Sequence, residues 1–171
     1  MTKYLSLAVC LLMFSFLPAK ASGTEWYAIV NIASYHVNAS SKFNEKNQGV
    51  SLGFAKRNSH FENWDYGAEI GFYKNSFYET SRYILAYSDF SIADIGINTK
   101  LRLGVFAGLF EYPTMTNYAE RSGIPTFDDY VLIPGLSANL RFEQGYDLRL
   151  RIAPAAKNAD AIATLQLALK F

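Results

Sequence analysis

Cysteine is almost missing from this chain: among 171 residues there is one, Cys10. No thiol follows it, so disulfides, cysteine-ligated metals and a cysteine nucleophile are excluded from the rest of the sequence. Leu7-Ala8-Val9 before Cys10 also lacks the small residue that a lipoprotein cysteine needs immediately before it. Beyond residue 17 there is no apolar run long enough to cross a bilayer as a helix, which takes about 20 residues. An excess of positive charge is missing too, and nucleic acid is therefore not an expected partner. There is no extended helical periodicity, internal repeat or low-complexity tract. No metal or soluble cofactor is expected.

The first residues read as an export signal. Lys3 supplies the positive start, Leu5 to Leu17 the apolar stretch, and Ala19-Lys20-Ala21 the small-x-small cleavage pattern. Residues 1–21 are thus expected to be removed and 22–171 to form one domain. Loss of Lys3 and Lys20 leaves 14 basic against 15 acidic residues.

Aromatic residues are plentiful, with 12 tyrosines and 13 phenylalanines. A membrane β-barrel reconciles that abundance with the lack of long apolar runs. Its strands hide their hydrophobicity in alternation, and its aromatics gather at the two interfaces. Read with period two, the chain divides into eight candidate strands, roughly 25–36, 48–57, 64–73, 79–89, 95–110, 130–142, 146–154 and 161–171. Trp64, Tyr66, Ala68, Ile70 and Phe72 alternate with Asp65, Gly67, Glu69, Gly71 and Tyr73, for example. The expected fold is an all-β, eight-stranded antiparallel transmembrane barrel of the bacterial outer membrane. A terminal Phe171 on such a strand resembles the signal read by the outer-membrane assembly machinery.

Loop lengths assign a direction. Connections after the odd-numbered segments are about 11, 5, 19 and 6 residues, and the others about 6, 5 and 3. Short turns belong in the periplasm and long loops outside, so both termini are expected on the periplasmic side. The inward-facing set then has its charges near the periplasm (Asp65, Glu69, Lys100, Arg102, Arg141, Arg149, Arg151) and small or apolar residues near the outside. Gly71, Gly104, Phe106, Gly108, Ile133 and Gly135 line that outer half. A barrel of this size holds its own side chains or one small ligand. The lining suits either an acyl-chain cavity or a core filled by Phe106, Tyr73 and their neighbours.

His36 ends the first segment, and Asn75-Ser76 lie in the tight loop after the third, so the topology brings all three to one rim. Histidine is a general base, and serine is a nucleophile or hydrogen-bond donor. The same residues also serve as ordinary turn and hydrogen-bonding groups. His60 falls in a short periplasmic turn without an evident partner.

Several short motifs resemble the lipid A palmitoyltransferases, the PagP family. Phe43-Asn44-Glu45 followed by Gly49-Val50-Ser51-Leu52-Gly53-Phe54 resembles that family's Tyr-Asn-Glu and glycine-rich second strand. Tyr73-Lys74-Asn75-Ser76 is similar to its Phe-Lys-Asp-Ser. Leu132-Ile133-Pro134 and Arg151-Ile152-Ala153-Pro154 are similar to its two late proline-bearing strands. The resemblance implies a barrel with an interior acyl-chain ruler that moves a palmitoyl chain from a phospholipid to lipid A. It also implies lateral lipid access at Pro134 and Pro154, since proline removes a ladder donor. Two features depart from the family. Its clamping N-terminal helix has no counterpart, and its catalytic Asp corresponds to Asn75, a neutral amide that supports an imidazolium poorly.

Three functions follow as expectations. The first is a monomeric outer-membrane acyltransferase with His36 as base, Ser76 stabilising the reacting carbonyl and Asn75 orienting His36, its partners phospholipid and lipid A. The second is a non-catalytic barrel with a structural, lipid-binding or surface-interaction role, in which Tyr112, Tyr118, Arg121 and Phe127 form a contact surface. The third is a soluble lipocalin-like barrel, disfavoured by outward faces that are too uniformly apolar for water.

Overall fold

The computed structural model describes residues 23–171 except 41, 59–60, 62, 113, 115, 117–124 and 156–158. The export signal, His60, Tyr118 and Arg121 therefore lie outside the described residues. Among the described residues nine strands run in chain order: β1 (Thr24–Val37), β2 (Gly49–Arg57), β3 (Trp64–Lys74), β4 (Thr80–Gly96), β5 (Thr99–Glu111), β6 (Thr126–Phe127), β7 (Tyr130–Phe142), β8 (Tyr146–Pro154) and β9 (Ala161–Lys170). Every pairing is antiparallel, and β5 pairs with β7 to close the ring. The result is a closed eight-stranded barrel, with the two-residue β6 appended to one end of β7. Closure leaves the barrel wall without the exposed edges of an open sheet.

The expected strands match these elements closely except at one hairpin. The fourth was expected to end at 89 and the fifth to start at 95. Instead β4 continues to Gly96, and the turn is Ile97-Asn98, with Asn98 at φ 63°. Asparagine tolerates that left-handed backbone better than most residues with a side chain.

Alternation holds inside the barrel, so one set of residues faces in and the other out. In β3, Asp65, Gly67 and Glu69 are buried while Trp64, Tyr66, Ile70 and Phe72 are exposed. A β-bulge interrupts the pattern in β1. Asn31 stands opposite Gln166 and Ala33 opposite Leu165, so Ile32 is an extra residue. Before the bulge Tyr27, Ile29 and Asn31 point inward; after it Ser34 and His36 do. Bulges re-aim side chains in this way, and without this one Tyr35 would face the interior in place of His36.

The interior is layered. At the end carrying the chain termini, Asp65 accepts from Arg102 and from Arg141, while Asp147 pairs with Arg149 at 3.0 Å. Midway, Glu69 binds Arg151 at 2.7 Å and accepts from Ser51 and Tyr83. Beyond that layer, Tyr73, Leu85, Phe106 and Val131 form the core, with Phe110 and Ile133 packed against it. Buried charges are tolerable because they are paired and hydrogen-bonded.

Candidate functional site

The far rim, opposite the termini, brings together residues from three parts of the chain. The loop between β3 and β4 is held by Asn75, whose side chain is 1% exposed. Its Oδ1 accepts from the amides of Phe77 (2.9 Å) and Glu79 (3.0 Å), and its Nδ2 donates to Ser81 (3.0 Å) and to Glu79 Oε2 (3.3 Å). This is a side-chain-closed turn of the kind asparagine favours. The segment before β2 is tied to the same loop: Asn44 donates through its backbone to Ser76 O and through its amide to Asn75 O.

Ser76 is thereby set against His36. Ser76 Oγ lies 2.7 Å from His36 Nε2. The imidazole is 3% exposed, stacks on Phe43 with centroids 4.3 Å apart, and has Nδ1 buried without a hydrogen-bond partner among the described residues. His36 and Ser76 thus meet, whereas Asn75 is turned away and its polar atoms are taken up within its own loop. The expected orienting contact from Asn75 to His36 is not among the hydrogen bonds of the described residues. Glu45 is the carboxylate whose charge acts on the imidazole.

Tyr112, just past the end of β5, completes the cluster. It receives a hydrogen bond from Tyr73 at 2.7 Å and borders the same cavity as Ser76. Burial pushes its phenol above the ordinary tyrosine value, while the neighbouring Tyr73 and Ser76 hydroxyls act the other way. Tyr112, expected as part of a surface contact patch, is instead buried at 9% exposure and borders the interior cavity, a role no local pattern distinguishes from that of the other tyrosines. Phe43 and Asn44 were visible only as part of a motif.

Below the rim lies a cavity of about 80 Å³ bounded by Ser34, Tyr73, Ser76, Phe106, Tyr112 and Ala153, among others. Cavities that take drug-sized ligands usually measure about 300–1,000 Å³. The space beside the glycines is occupied: an added Cβ would meet Ser51 at Gly71, Asp89 and Ser137 at Gly104, Leu85 at Gly108 and the Phe106 ring at Gly135. Of the two interiors the sequence allowed, these contacts describe the filled one. Ile133 and Phe106 both border the small cavity that remains.

Pro134 and Pro154 mark a break in the wall. The β7–β8 ladder runs from Phe142–Tyr146 to Leu136–Ile152 and stops. Continued in register, it would set Pro134 opposite Pro154, and neither has an amide hydrogen to donate. Pro134 remains paired with Ala107 on β5 and Pro154 with Ala161 on β9, so the gap is confined to one seam. Ala153 and Pro154 also border the cavity. At the opposite end, Glu25, Arg57, Lys100, Arg141 and Lys170 surround a polar mouth of about 390 Å³. No group of three or more potential metal ligands occurs among the described residues.

Fold and rim together define a closed, eight-stranded antiparallel barrel with a polar cluster at one end. No protein-family model and no curated protein matches the chain. Solved structures of similar fold include the outer membrane protein Ail of Yersinia pestis in a phospholipid bilayer nanodisc. That match has 12% identity and a TM-score of 0.46, covering 88% of this chain and 100% of Ail. The crystal structure of Ail, the attachment invasion locus protein, gives 14% identity and a TM-score of 0.46, covering 87% and 99%. At such identities the likeness concerns fold alone. The comparisons do not reproduce the resemblance to lipid A palmitoyltransferases.

Proposed function

We propose that this chain is a bacterial outer-membrane barrel with a non-catalytic, lipid-contacting role, its termini in the periplasm and its His36 rim outside. The carrying observation is the outer surface: Trp26, Val30, Leu52, Ile70, Phe72, Ile84, Leu103, Val105, Leu136 and Ile152 are all exposed on a barrel whose charges are turned inward. That inside-out arrangement suits hydrocarbon and is unfavourable in water. Carbonate extraction and gel mobility test it. The protein is expected in the membrane fraction with a heat-modifiable band; recovery as a soluble monomer without detergent would reject the proposal.

A second reading is favoured by one contact, His36 Nε2 to Ser76 Oγ at 2.7 Å. In that reading the rim transfers an acyl chain from a phospholipid, possible acceptors including lipid A. The β7–β8 break at Pro134 and Pro154 would admit the chain, and the space near Phe106, Ile133 and the glycines would have to enlarge to hold it. Lipid A mass spectrometry in a host without its own lipid A acyltransferase separates the two. A species heavier by one acyl chain, abolished by His36→Ala and Ser76→Ala, supports transfer. An unchanged profile with folded protein in the membrane supports the non-catalytic barrel.

A further inference from the structure

The rim cavity is amphipathic and closed toward the middle of the barrel. Phe106, Phe110, Ile133 and Ala153 offer it apolar surface, and Ser34, Asn47 and Ser76 offer polar groups. On the side of the charged layer it is bounded by Tyr83, Arg151 and Gln166, each hydrogen-bonded to Glu69. A chain reaching further in would have to part the buried Arg151–Glu69 pair, which is strongly unfavourable. The space beside Gly71, Gly104, Gly108 and Gly135 is taken as well.

The volume left is about 80 Å³. A dry cavity of about 150 Å³ holds benzene, so about three or four non-hydrogen atoms fit here without rearrangement. An acetyl or butyryl group is of that size, and a palmitoyl chain is not.

Ser76 joins this space to a base. It borders the cavity, and its Oγ lies 2.7 Å from His36 Nε2. We propose that the rim cleaves esters of short carboxylic acids, about two to four carbons long, with the acyl group in the cavity and the alcohol outside. The proposal rests on the reading that His36 and Ser76 are a working pair, and unlike lipid acyl transfer it needs no enlargement of the interior. Ser76 Oγ attacks the carbonyl carbon as its proton passes to His36 Nε2. The bond from that carbon to the alkoxy oxygen breaks, and the alcohol departs with the proton. Water then gives a proton to His36 and adds to the acyl-serine. The acyl–Oγ bond breaks, the short acid leaves, and Ser76 regains the proton. His36 Nδ1 has no hydrogen-bond partner among the described residues, so turnover is expected to be slow.

Initial rates with p-nitrophenyl acetate, butyrate, octanoate and palmitate test the proposal on the full chain folded in detergent micelles. The activated leaving group makes slow turnover readable. kcat/KM should be highest for acetate or butyrate and fall about tenfold or more at octanoate, as misfit in a closed pocket does. His36→Ala and Ser76→Ala should each lose about 100-fold or more, the usual share of a general base or its partner. Phe106→Ala enlarges the cavity and should move the optimum toward octanoate. Long esters partition into micelles equally for both proteins, so that shift reads the cavity; where Phe106→Ala does not fold, Ile133→Ala takes its place. A wild-type optimum at octanoate or palmitate, an optimum unmoved in the enlarged variant, or rates indifferent to His36→Ala and Ser76→Ala would overturn the proposal. Absence of hydrolysis with every ester rejects the working pair, and methyl spectra of Ile133 and Ala153 then decide what the cavity holds. Shifts with methyl butyrate and none with methyl octanoate keep the short-acyl assignment; the reverse, or no shift with either, overturns it.

Discussion

Asn75 closes its loop with four hydrogen bonds, two of them to backbone amides. Asn75→Ala leaves those amides and Ser81 without their partner in a buried place, where an unmet polar group costs about 1–3 kcal/mol. Urea unfolding in bilayers should show a loss of that size, with membrane insertion retained. Tyr112→Phe removes one hydroxyl but keeps the ring, and about 1 kcal/mol is the expected loss by the same measurement. Glu69→Ala should be far worse. It strips the Arg151 guanidinium, itself 8% exposed, of its carboxylate. Uncompensated buried charge of this kind costs about 3–5 kcal/mol. The meeting of His36 with Ser76 could be anticipated from topology, because they follow β1 and β3 to the same end and these two strands run in the same direction. The inward turn of Asn75 into its own loop could not be. An Asx turn and a catalytic amide look alike in one dimension.

At the scale of strands, alternation was legible because each one has an outer and an interior face that differ in polarity. The Ile97-Asn98 turn was not, since β4 runs past Phe90 through Ile92 and Ile95, residues as apolar as those before them. The Ile32 bulge was hidden for a related reason. Ile32 and Ala33 are both apolar, and period two alone cannot say which of them is supernumerary. Yet the bulge decides what the rim contains. Deletion of Ile32, the supernumerary residue, should remove the bulge and restore strict alternation while Ser34 and His36 keep facing inward and Tyr35 outward. The barrel is expected to survive with the His36–Ser76 hydrogen bond retained, which imidazole ¹⁵N spectra would register; loss of that bond would count against Ile32 as the extra residue. The β7–β8 seam offers the converse experiment. Pro134→Ala with Pro154→Ala restores two amide donors, so the ladder should lengthen beyond Leu136–Ile152 and slow hydrogen exchange there.

For the molecule as a whole, the outward face and the direction of insertion matter most. Val105 is 55% exposed on the outer side of β5. Val105→Arg should destabilise the folded barrel by about 2–4 kcal/mol in a bilayer, as a cation near the midplane does. The filled interior beside Phe106 was one of two states compatible with the sequence. Glycine spacing shows where room exists but not which neighbouring side chain occupies it. The proposed orientation can be tested directly by labelling intact cells with a bulky, membrane-impermeant maleimide on a Cys10→Ser background. Tyr78, 70% exposed in the rim loop, and Ile97, 93% exposed in the turn at the other end, are the two positions to compare. Tyr78→Cys should label in intact cells and Ile97→Cys only after the outer membrane is opened. Labelling of Ile97→Cys in intact cells with Tyr78→Cys protected would contradict the orientation, and recovery of both variants in the soluble fraction would contradict the membrane barrel itself.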